Sequence, residues 1–328
     1  MSFILETEGL TKTYGKKRAL DNVSVHVGEG DIYGLVGRNG AGKTTLMKIA
    51  GGLASANSGS CRLFGRDVND LGDMVLQRGL LIEEPGIYPE KSGLENMKIK
   101  CMALGVKDKS EPERLLEQMG IKDAMKKHVK NYSFGMKQRL GLALAFAGNP
   151  KLMILDEPIN GFDPEGIRNV REMILEKHRQ GTTFIISSHI LGELSKIATK
   201  YGFINEGKLV EESTAEDLKK KCISKINLVT DNPSGTAAVI ERLGFASYKV
   251  FDGGRTEIYE QLERTGDISN ALSAQGIAIY EITKKYETLE DYYIGIVGGD
   301  TREEENSAQV TYGARNQLRK TAAKQEEN

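Results

Sequence analysis

Short apolar runs alternate with helical segments along residues 1–212. The runs at residues 31–36, 152–155 and 183–187 are almost continuously apolar, which is typical of strands that are buried on both faces of a parallel sheet. Strands that alternate with helices along a chain predict an α/β architecture. We therefore expect one α/β domain over residues 1–212.

Residues 110–119 form one of the predicted helices. Its apolar face consists of Leu115, Leu116 and Met119. Ser110 and Glu113 have the spacing of a capping box, and Gly120 follows the predicted end of the helix. The helix lies between two motifs of the α/β domain, so the sequence predicts an inserted helical subdomain at about residues 84–150.

The hydrophobic pattern changes near residue 213. The order from there is strand, helix, strand, strand, helix and strand, followed by a last amphipathic helix. The strands are expected at residues 226–229, 248–251, 256–260 and 277–282, and the helices at 235–243, 268–274 and 289–297. This order predicts a ferredoxin-like α+β domain over residues 213–299. Residues 300–328 are polar and nearly free of large apolar side chains, which predicts a disordered tail.

A glycine-rich segment follows the predicted strand at residues 31–36. It fits the pattern G-x-x-x-x-G-K-[ST] and consists of Gly37, Arg38, Asn39, Gly40, Ala41, Gly42, Lys43, Thr44 and Thr45. In such a P-loop, glycines bring backbone N–H groups close to phosphates, and the following helix adds partial positive charge. Lys43 can reach the β- and γ-phosphates, and the Thr44 hydroxyl can ligate Mg²⁺. The segment predicts a nucleoside triphosphate site.

Two carboxylates, Asp156 and Glu157, follow the apolar run at residues 152–155. In a nucleotidase the first would hold Mg²⁺, and the second would polarise the attacking water as general base. Such a pair on its own also occurs at helix caps. Because it follows a complete P-loop, we expect nucleotide hydrolysis with Lys43 and Glu157 as catalytic residues.

Three further segments complete the pattern of a known family. They read Tyr-Ser-Phe-Gly-Met-Lys-Gln-Arg at 132–139, Asn-Gly-Phe-Asp-Pro at 160–164 and Ser-Ser-His-Ile at 187–190. Together with the P-loop and the Asp-Glu pair, they have the order and approximate spacing of the nucleotide-binding subunit of ABC transporters. The chain resembles that subunit over residues 3–212. Tyr14 lies where the family has an aromatic ring that stacks on adenine.

The resemblance implies roles for individual residues. In the family, two such domains close head to tail around two ATP molecules. Ser133 and Gly135 of one subunit would then face the γ-phosphate that Lys43 of the other subunit holds. The resemblance also implies that His189 contacts the γ-phosphate and orients the water, and that Asp163 couples the two sites.

Two segments depart from the family pattern. Phe134 and Met136 replace a glycine and a glutamine of the usual signature segment. Glu83 takes the place of a glutamine that binds Mg²⁺ and water; a carboxylate still offers the metal an oxygen, but it adds negative charge. The surrounding residues 82–89 resemble the ATPase subunits of bacitracin- and lantibiotic-type export and immunity systems.

Composition limits the partners and the compartment. The 328 residues have a net charge of −1, without the basic excess of nucleic-acid-binding proteins, so no nucleic acid partner is expected. No apolar run approaches the ~20 residues that cross a bilayer, and the first residues lack the features of a signal peptide. The 3 cysteines are far apart, which fits a reducing cytosol and neither a disulfide framework nor a zinc site.

These features and the resemblance together predict the ATP-binding and ATP-hydrolysing subunit of a bacterial ABC exporter, with ATP and Mg²⁺ as ligands. The expected cargo is a peptide antibiotic of the bacitracin or lantibiotic type, with drug, lipid or sodium export as alternatives. The expected partners are a second nucleotide-binding subunit, forming a homodimer, and integral-membrane permease subunits. The protein is expected to be cytoplasmic and to bind the inner face of the cell membrane through the permease.

Two other protein classes share part of the pattern. Non-transport ABC ATPases of DNA repair or translation usually have long coiled-coil insertions or two fused nucleotide domains, and this sequence has neither. A P-loop kinase would leave the signature segment and His189 unexplained. Both classes fit the sequence less well than an exporter subunit does.

Overall fold

The computed structural model of the protein describes residues 3–188, 190–222, 224–251 and 254–297. The chain divides into two units, Met1–Asp217 and Leu218–Asn328. His189 and the predicted tail at residues 300–328 lie outside the described residues.

The first unit contains two β-sheets and a set of helices. Its strands are β1 (Phe3–Tyr14), β2 (Lys17–Val23), β3 (His26–Gly28), β4 (Ile32–Val36), β5 (Ser58–Leu63), β6 (Arg66–Asp67), β7 (Arg78–Leu81), β8 (Leu152–Asp156), β9 (Thr183–Ser188), β10 (Lys200–Asn205) and β11 (Lys208–Thr214). Its α-helices are α1 (Lys43–Ala50), α2 (Gly93–Ala103), α3 (Glu111–Gln118), α4 (Phe134–Phe146), α5 (Pro164–Arg179) and α6 (Leu191–Leu194), and α7 (Ala215–Lys221) continues into the second unit. Short 3₁₀ helices lie at Gly72–Gln77, Lys122–Ala124 and Val129–Asn131.

The larger sheet has the strand order β11-β10-β4-β9-β8-β7 among the described residues. All neighbouring pairs are parallel except β10 and β11. Every residue of β4, β8 and β9 is buried, which explains the apolar runs and confirms the predicted α/β architecture. Val36 pairs with Ser188 and Asp156 pairs with Ser187, so the carboxyl ends of these three strands lie at one edge of the sheet. At this edge, the segments that follow β4 and β8 come together.

The smaller sheet is antiparallel, with the order β2-β1-β5-β6 and with β3 paired to β1. Tyr14 ends β1 and pairs with Lys17 of β2 at the tip of their hairpin. Both sheets and α1 contribute to one apolar core, whose fully buried members include Leu10, Leu20, Leu35, Met47, Ile49 and Leu63. This shared core fixes the hairpin and α1 relative to the larger sheet.

The predicted capping box at Ser110 is wrong. Ser110 has helical backbone angles and makes no side-chain capping bond; its hydroxyl instead donates to Oδ1 of Asp108 at 2.6 Å. A capping box is present at the start of α2, where the Ser92 hydroxyl and the Glu95 carboxylate each accept from the other residue's backbone N–H. The apolar face predicted for α3 is buried, with Leu115, Leu116 and Met119 between 0% and 3% exposed.

The second unit has the predicted ferredoxin-like order. Its elements are β12 (Lys225–Thr230), α8 (Pro233–Arg242), β13 (Tyr248–Val250), β14 (Arg255–Ile258), a 3₁₀ helix (Leu262–Arg264), α9 (Thr265–Ala274), β15 (Ile279–Lys285) and α10 (Leu289–Val297). The sheet is antiparallel with the order β13-β14-β12-β15. Apolar residues of β12, β14, α8 and α9 form its core, among them Ile226, Leu228, Ile240, Ile258, Ile268 and Leu272. In neither unit is any described helix both long and apolar enough to cross a bilayer.

Candidate active site

The P-loop connects β4 to α1 at the carboxyl edge of the larger sheet. Gly40 and Gly42 have left-handed backbone angles, with φ of +81° and +114°. A Cβ at Gly37 would lie 2.5 Å from the carbonyl oxygen of Ile204, and one at Gly42 would lie 2.6 Å from that of Ala19. Any larger residue at either position would push the loop away from the strands behind it. The glycines therefore keep the loop close to the sheet and its outer side open to a ligand.

Lys43 is the buried cation of this loop. Its side chain is 6% exposed, and its Nζ donates to the carbonyl oxygens of Gly37 at 2.7 Å and Arg38 at 3.3 Å. Burial lowers the pKa of Lys43, while the negative charges of Glu157 and Asp156 oppose that shift. The ammonium is thus held by carbonyl oxygens of the loop, which phosphate oxygens would replace as acceptors.

A hydrogen-bonded network fixes the Asp156 carboxylate. Oδ2 accepts from the Thr44 hydroxyl at 2.7 Å, and Oδ1 accepts from the Ser187 hydroxyl at 2.5 Å. The Ser187 oxygen in turn accepts from the backbone N–H of Glu157 at 2.9 Å. The Thr44 and Asp156 oxygens are the hard ligands that Mg²⁺ prefers, and Mg²⁺ takes only one or two carboxylates when phosphates supply the rest. The donor set therefore fits a Mg²⁺–nucleotide complex. The sequence alone does not indicate this role of Ser187.

Glu157 follows β8 in a left-handed backbone conformation, with φ of +48°. Its backbone carbonyl accepts from Nε2 of Gln138 at 3.4 Å. A non-glycine residue in this conformation costs about 1–3 kcal/mol, and such strain is concentrated at functional sites. The turn directs the chain away from the strand immediately after Asp156, so that two consecutive carboxylates line one cavity.

Glu83 is bound by a lysine of the P-loop helix. Its Oε1 accepts from Nζ of Lys48, on the last turn of α1, at 2.6 Å. Glu83 is exposed and also has a left-handed backbone angle, with φ of +58°. The Lys48 ammonium offsets the negative charge of Glu83, which stands where the family has a glutamine. The sequence did not indicate Lys48, because the two residues meet only in the folded chain.

These groups surround a cavity of about 410 Å³. Among the residues that the structure describes, ten of those predicted from the sequence line it: Tyr14, Asn39, Gly40, Gly42, Lys43, Thr44, Thr45, Glu83, Asp156 and Glu157. The remaining loop residues, Gly37, Arg38 and Ala41, belong to the same turn but do not line the cavity. Tyr14 is 49% exposed, and the Lys12 ammonium lies 5.1 Å from its ring centroid. Its ring is therefore accessible at the cavity, as stacking on a base would require.

The signature residues lie apart from this lining. Ser133 caps α4, and its hydroxyl accepts from the backbone N–H of Met136 at 3.3 Å. Gly135 packs against the loop that follows β8, since a Cβ there would lie 2.9 Å from the Gly161 carbonyl oxygen. Neither Ser133 nor Gly135 lines the cavity, nor does Asp163, although the intervening Phe134 does.

Comparison with known proteins gives relatives along most of the chain. A family model described as "ABC transporter" matches residues 20–160. The bacitracin transport ATP-binding protein BcrA of Enterococcus faecalis is 39% identical over 305 residues, 91% of this chain and 98% of that protein. The lantibiotic transport ATP-binding protein SrtF of Streptococcus pyogenes is 45% identical over 211 residues, 64% of this chain and 90% of that protein.

The fold also matches a solved structure. The ATP-binding cassette MJ0796, a dimer in a post-hydrolysis state bound to ADP and Pi, superposes with a TM-score of 0.60. The match covers 64% of this chain and 98% of that chain, at 20% sequence identity. At that identity the likeness establishes the fold alone.

Proposed function

This chain belongs to the family of ABC transporter ATP-binding subunits, and we propose that it drives a bacterial exporter of peptide antibiotics of the bacitracin or lantibiotic type. The resemblance inferred from its motifs is confirmed by the relatives, so the protein is the ATP-binding and ATP-hydrolysing subunit of a transporter. What we propose is the identity of the transported cargo. It is supported by the named activities of two relatives and by the local sequence around Glu83.

The cavity supports hydrolysis by residues of this chain. Lys43 and the backbone N–H groups of the P-loop would bind the phosphates, and Tyr14 would stack on the adenine. Thr44, Asp156 and Glu83 would hold Mg²⁺, which neutralises charge on the phosphate oxygens when bound.

Glu157 would accept a proton from the attacking water. Its carboxylate adjoins Asp156 in the cavity, but it is not one of the groups that would hold Mg²⁺. From the family resemblance, His189 would contact the γ-phosphate and orient the water. The observation that carries the proposed hydrolysis is the convergence of Lys43, Thr44, Asp156 and Glu157 on one cavity.

We propose that a second copy of the chain completes each site. Ser133 and Gly135 lie outside the lining of their own chain's cavity, although a hydroxyl and a helix N-terminus suit a γ-phosphate. A head-to-tail homodimer would bring them to the partner's nucleotide, with Asp163 beside them. Each dimer would then contain two complete sites.

We further propose permease subunits as the membrane partners, because transport is the named activity of the relatives. The chain would then act at the cytoplasmic face of the membrane. We also propose that residues 1–212 are the nucleotide-binding domain, that residues 84–150 are its helical subdomain, and that residues 213–299 are an accessory domain with a polar tail. The division of the structure near Asp217 supports this arrangement.

The resistance of a bacterium to peptide antibiotics tests the proposed cargo. In a sensitive bacterium, the chain expressed with its cognate permease is expected to raise the inhibitory concentrations of bacitracin or a lantibiotic. The same permease with the Glu157→Gln variant is the control and should give no protection, because transport requires hydrolysis. Unchanged inhibitory concentrations over a panel of such peptides, together with efflux of a small drug, lipid or sodium, would refute the peptide assignment and leave the ATPase assignment intact.

Glu83→Gln tests the proposed metal ligand. A carboxylate binds Mg²⁺ more firmly than an amide does. The variant should therefore need more Mg²⁺ for half-maximal ATP hydrolysis and should support less transport, while its ATP affinity stays nearly unchanged. Lys48→Gln is the matched comparison: it frees the same carboxylate and should lower the Mg²⁺ requirement, by no more than about fivefold for an exposed pair. Identical Mg²⁺ dependence in both variants and the wild type would show that Glu83 is not a ligand of Mg²⁺.

A further inference from the structure

Arg139 contacts three separate parts of the first unit. It lies on α4, and its Nη2 donates to Oδ1 of Asp163 at 2.7 Å. Its Nη1 donates to the carbonyl oxygen of Met119, the C-cap residue of α3, at 3.0 Å. Its guanidinium also lies over the Phe162 ring, 4.5 Å from the centroid. The planar, five-donor guanidinium can make all three contacts at once, which a lysine cannot.

The contact with Arg139 determines where the Asp163 carboxylate lies. Asp163 is at the N-cap position of α5, where an aspartate usually accepts from its own helix. Here it makes no capping bond, and its carboxylate is held by Arg139. The pair packs over Gly166, where a Cβ would lie 2.6 Å from Nη2 of Arg139 and 2.7 Å from Oδ1 of Asp163. The Arg139–Asp163 pair therefore packs closely against the first turn of α5, where there is no room for a side chain at residue 166.

The side of the pair that faces solvent is open. The Asp163 side chain is 62% exposed and that of Arg139 is 20% exposed. Among the contacts of the described residues, Oδ1 of Asp163 accepts a hydrogen bond and Oδ2 has none. A second subunit can therefore reach Asp163 while Arg139 keeps its hold on one oxygen.

The signature end of α4 is packed on the same loop. A Cβ at Gly161, which has a φ of +78°, would lie 2.9 Å from the Phe134 ring. A Cβ at Gly135 would likewise lie 2.9 Å from the Gly161 carbonyl oxygen, so there is no room for a side chain at either glycine. Arg139, further along α4, thus adds a second contact between this helix and the loop that leads to Asp163.

We propose that Arg139 is a positioning residue, which holds Asp163 and the signature end of α4 in one fixed arrangement for presentation to the nucleotide of a second subunit. This inference rests on the dimer of the proposed function. Arg139 does not line the cavity, so it acts through Asp163 and leaves nucleotide binding within one chain unchanged.

A double-mutant cycle tests the proposal in the full chain that carries Glu157→Gln. The dimer dissociation constant in Mg-ATP is measured by analytical ultracentrifugation for the parent, Arg139→Met, Asp163→Asn and the double variant. ATP affinity is measured separately at concentrations where the chain is monomeric. Arg168→Met, an exposed arginine on α5, is the matched control. Thermal unfolding of every variant reports whether its fold is retained.

Arg139→Met and Asp163→Asn should each weaken the dimer about tenfold, and the double variant should be no weaker than either, as coupled neighbours behave. ATP affinity of the monomer should stay within about twofold, since Arg139 lies outside the cavity. Fold changes that multiply in the double variant, or a dimer unaffected by Arg139→Met, would overturn the role of Arg139. If Arg139→Met does not fold, Arg139→Lys takes its place in the cycle and is judged by the same two outcomes.

Failure of the proposed dimer would give a different experimental result from failure of the role of Arg139. A parent and an Arg168→Met control that both stay monomeric in Mg-ATP would refute the dimer itself, and the role of Arg139 with it. A parent that dimerises normally while the cycle shows independent effects would refute Arg139 alone.

Discussion

Glu157→Gln is expected to lower ATP turnover about 10²–10⁴-fold, the usual contribution of a general base. The amide has nearly the shape of the carboxylate, so the strained turn after β8 and the Asp156 network should persist. It cannot take a proton from water at neutral pH. Steady-state phosphate release measures the loss, and equilibrium ATP binding should remain close to that of the wild type.

The matched control is Glu172→Gln, the same chemical change at an exposed position of α5. It should hydrolyse ATP at the wild-type rate. If Glu157→Gln also does so, Glu157 is not the general base and the base must be sought among the other groups of the cavity.

Lys43→Ala should act on binding as well as on turnover. Hydrogen bonds to charged groups contribute about 1.5–3 kcal/mol, so losing this ammonium should weaken ATP binding about 10- to 100-fold. The loop also loses the bonds from Nζ to the Gly37 and Arg38 carbonyls, which brace it in the absence of phosphate. Titration calorimetry with ATP is the direct measurement.

Lys151→Ala, at an exposed position just before β8, is the matched control and should bind ATP as the wild type does. An ATP dissociation constant for Lys43→Ala within about twofold of the control value would contradict the proposed phosphate contact, because that contact alone exceeds such a difference.

The sequence predicted those parts of the fold and the site that are continuous along the chain. β4, β8 and β9 are buried on both faces, so their residues form uninterrupted apolar runs. The P-loop is a single segment, and Asp156 and Glu157 adjoin the strand that positions them. The order of the second unit was also predictable, because it follows from short apolar segments along the chain; β12, for example, alternates strictly between more and less buried residues.

Two predictions failed because local hydrogen bonds form in place of the predicted ones. The Ser110 hydroxyl bonds Asp108 and so does not cap α3. The strand expected from Ile277 begins at Ile279, because the Ile277 N–H donates to Leu272 and closes the end of α9. In both cases a hydrogen bond within a few residues takes the group that the pattern had assigned elsewhere.

Side-chain pairs between distant segments could not be predicted. Ser187 with Asp156, Lys48 with Glu83 and Arg139 with Asp163 all join residues from separate elements. Their pairing depends on which strands are adjacent and on how two loops turn, and only the folded structure determines both.

We expect a second copy of the chain to complete an ATP site that one copy holds only in part. The mass of the Glu157→Gln protein in solution, measured by light scattering with Mg-ATP and then with Mg-ADP, tests it most directly. The predicted result is twice the monomer mass with Mg-ATP and the monomer mass with Mg-ADP. A monomer in both nucleotides, at concentrations where ATP is bound, would contradict the claim.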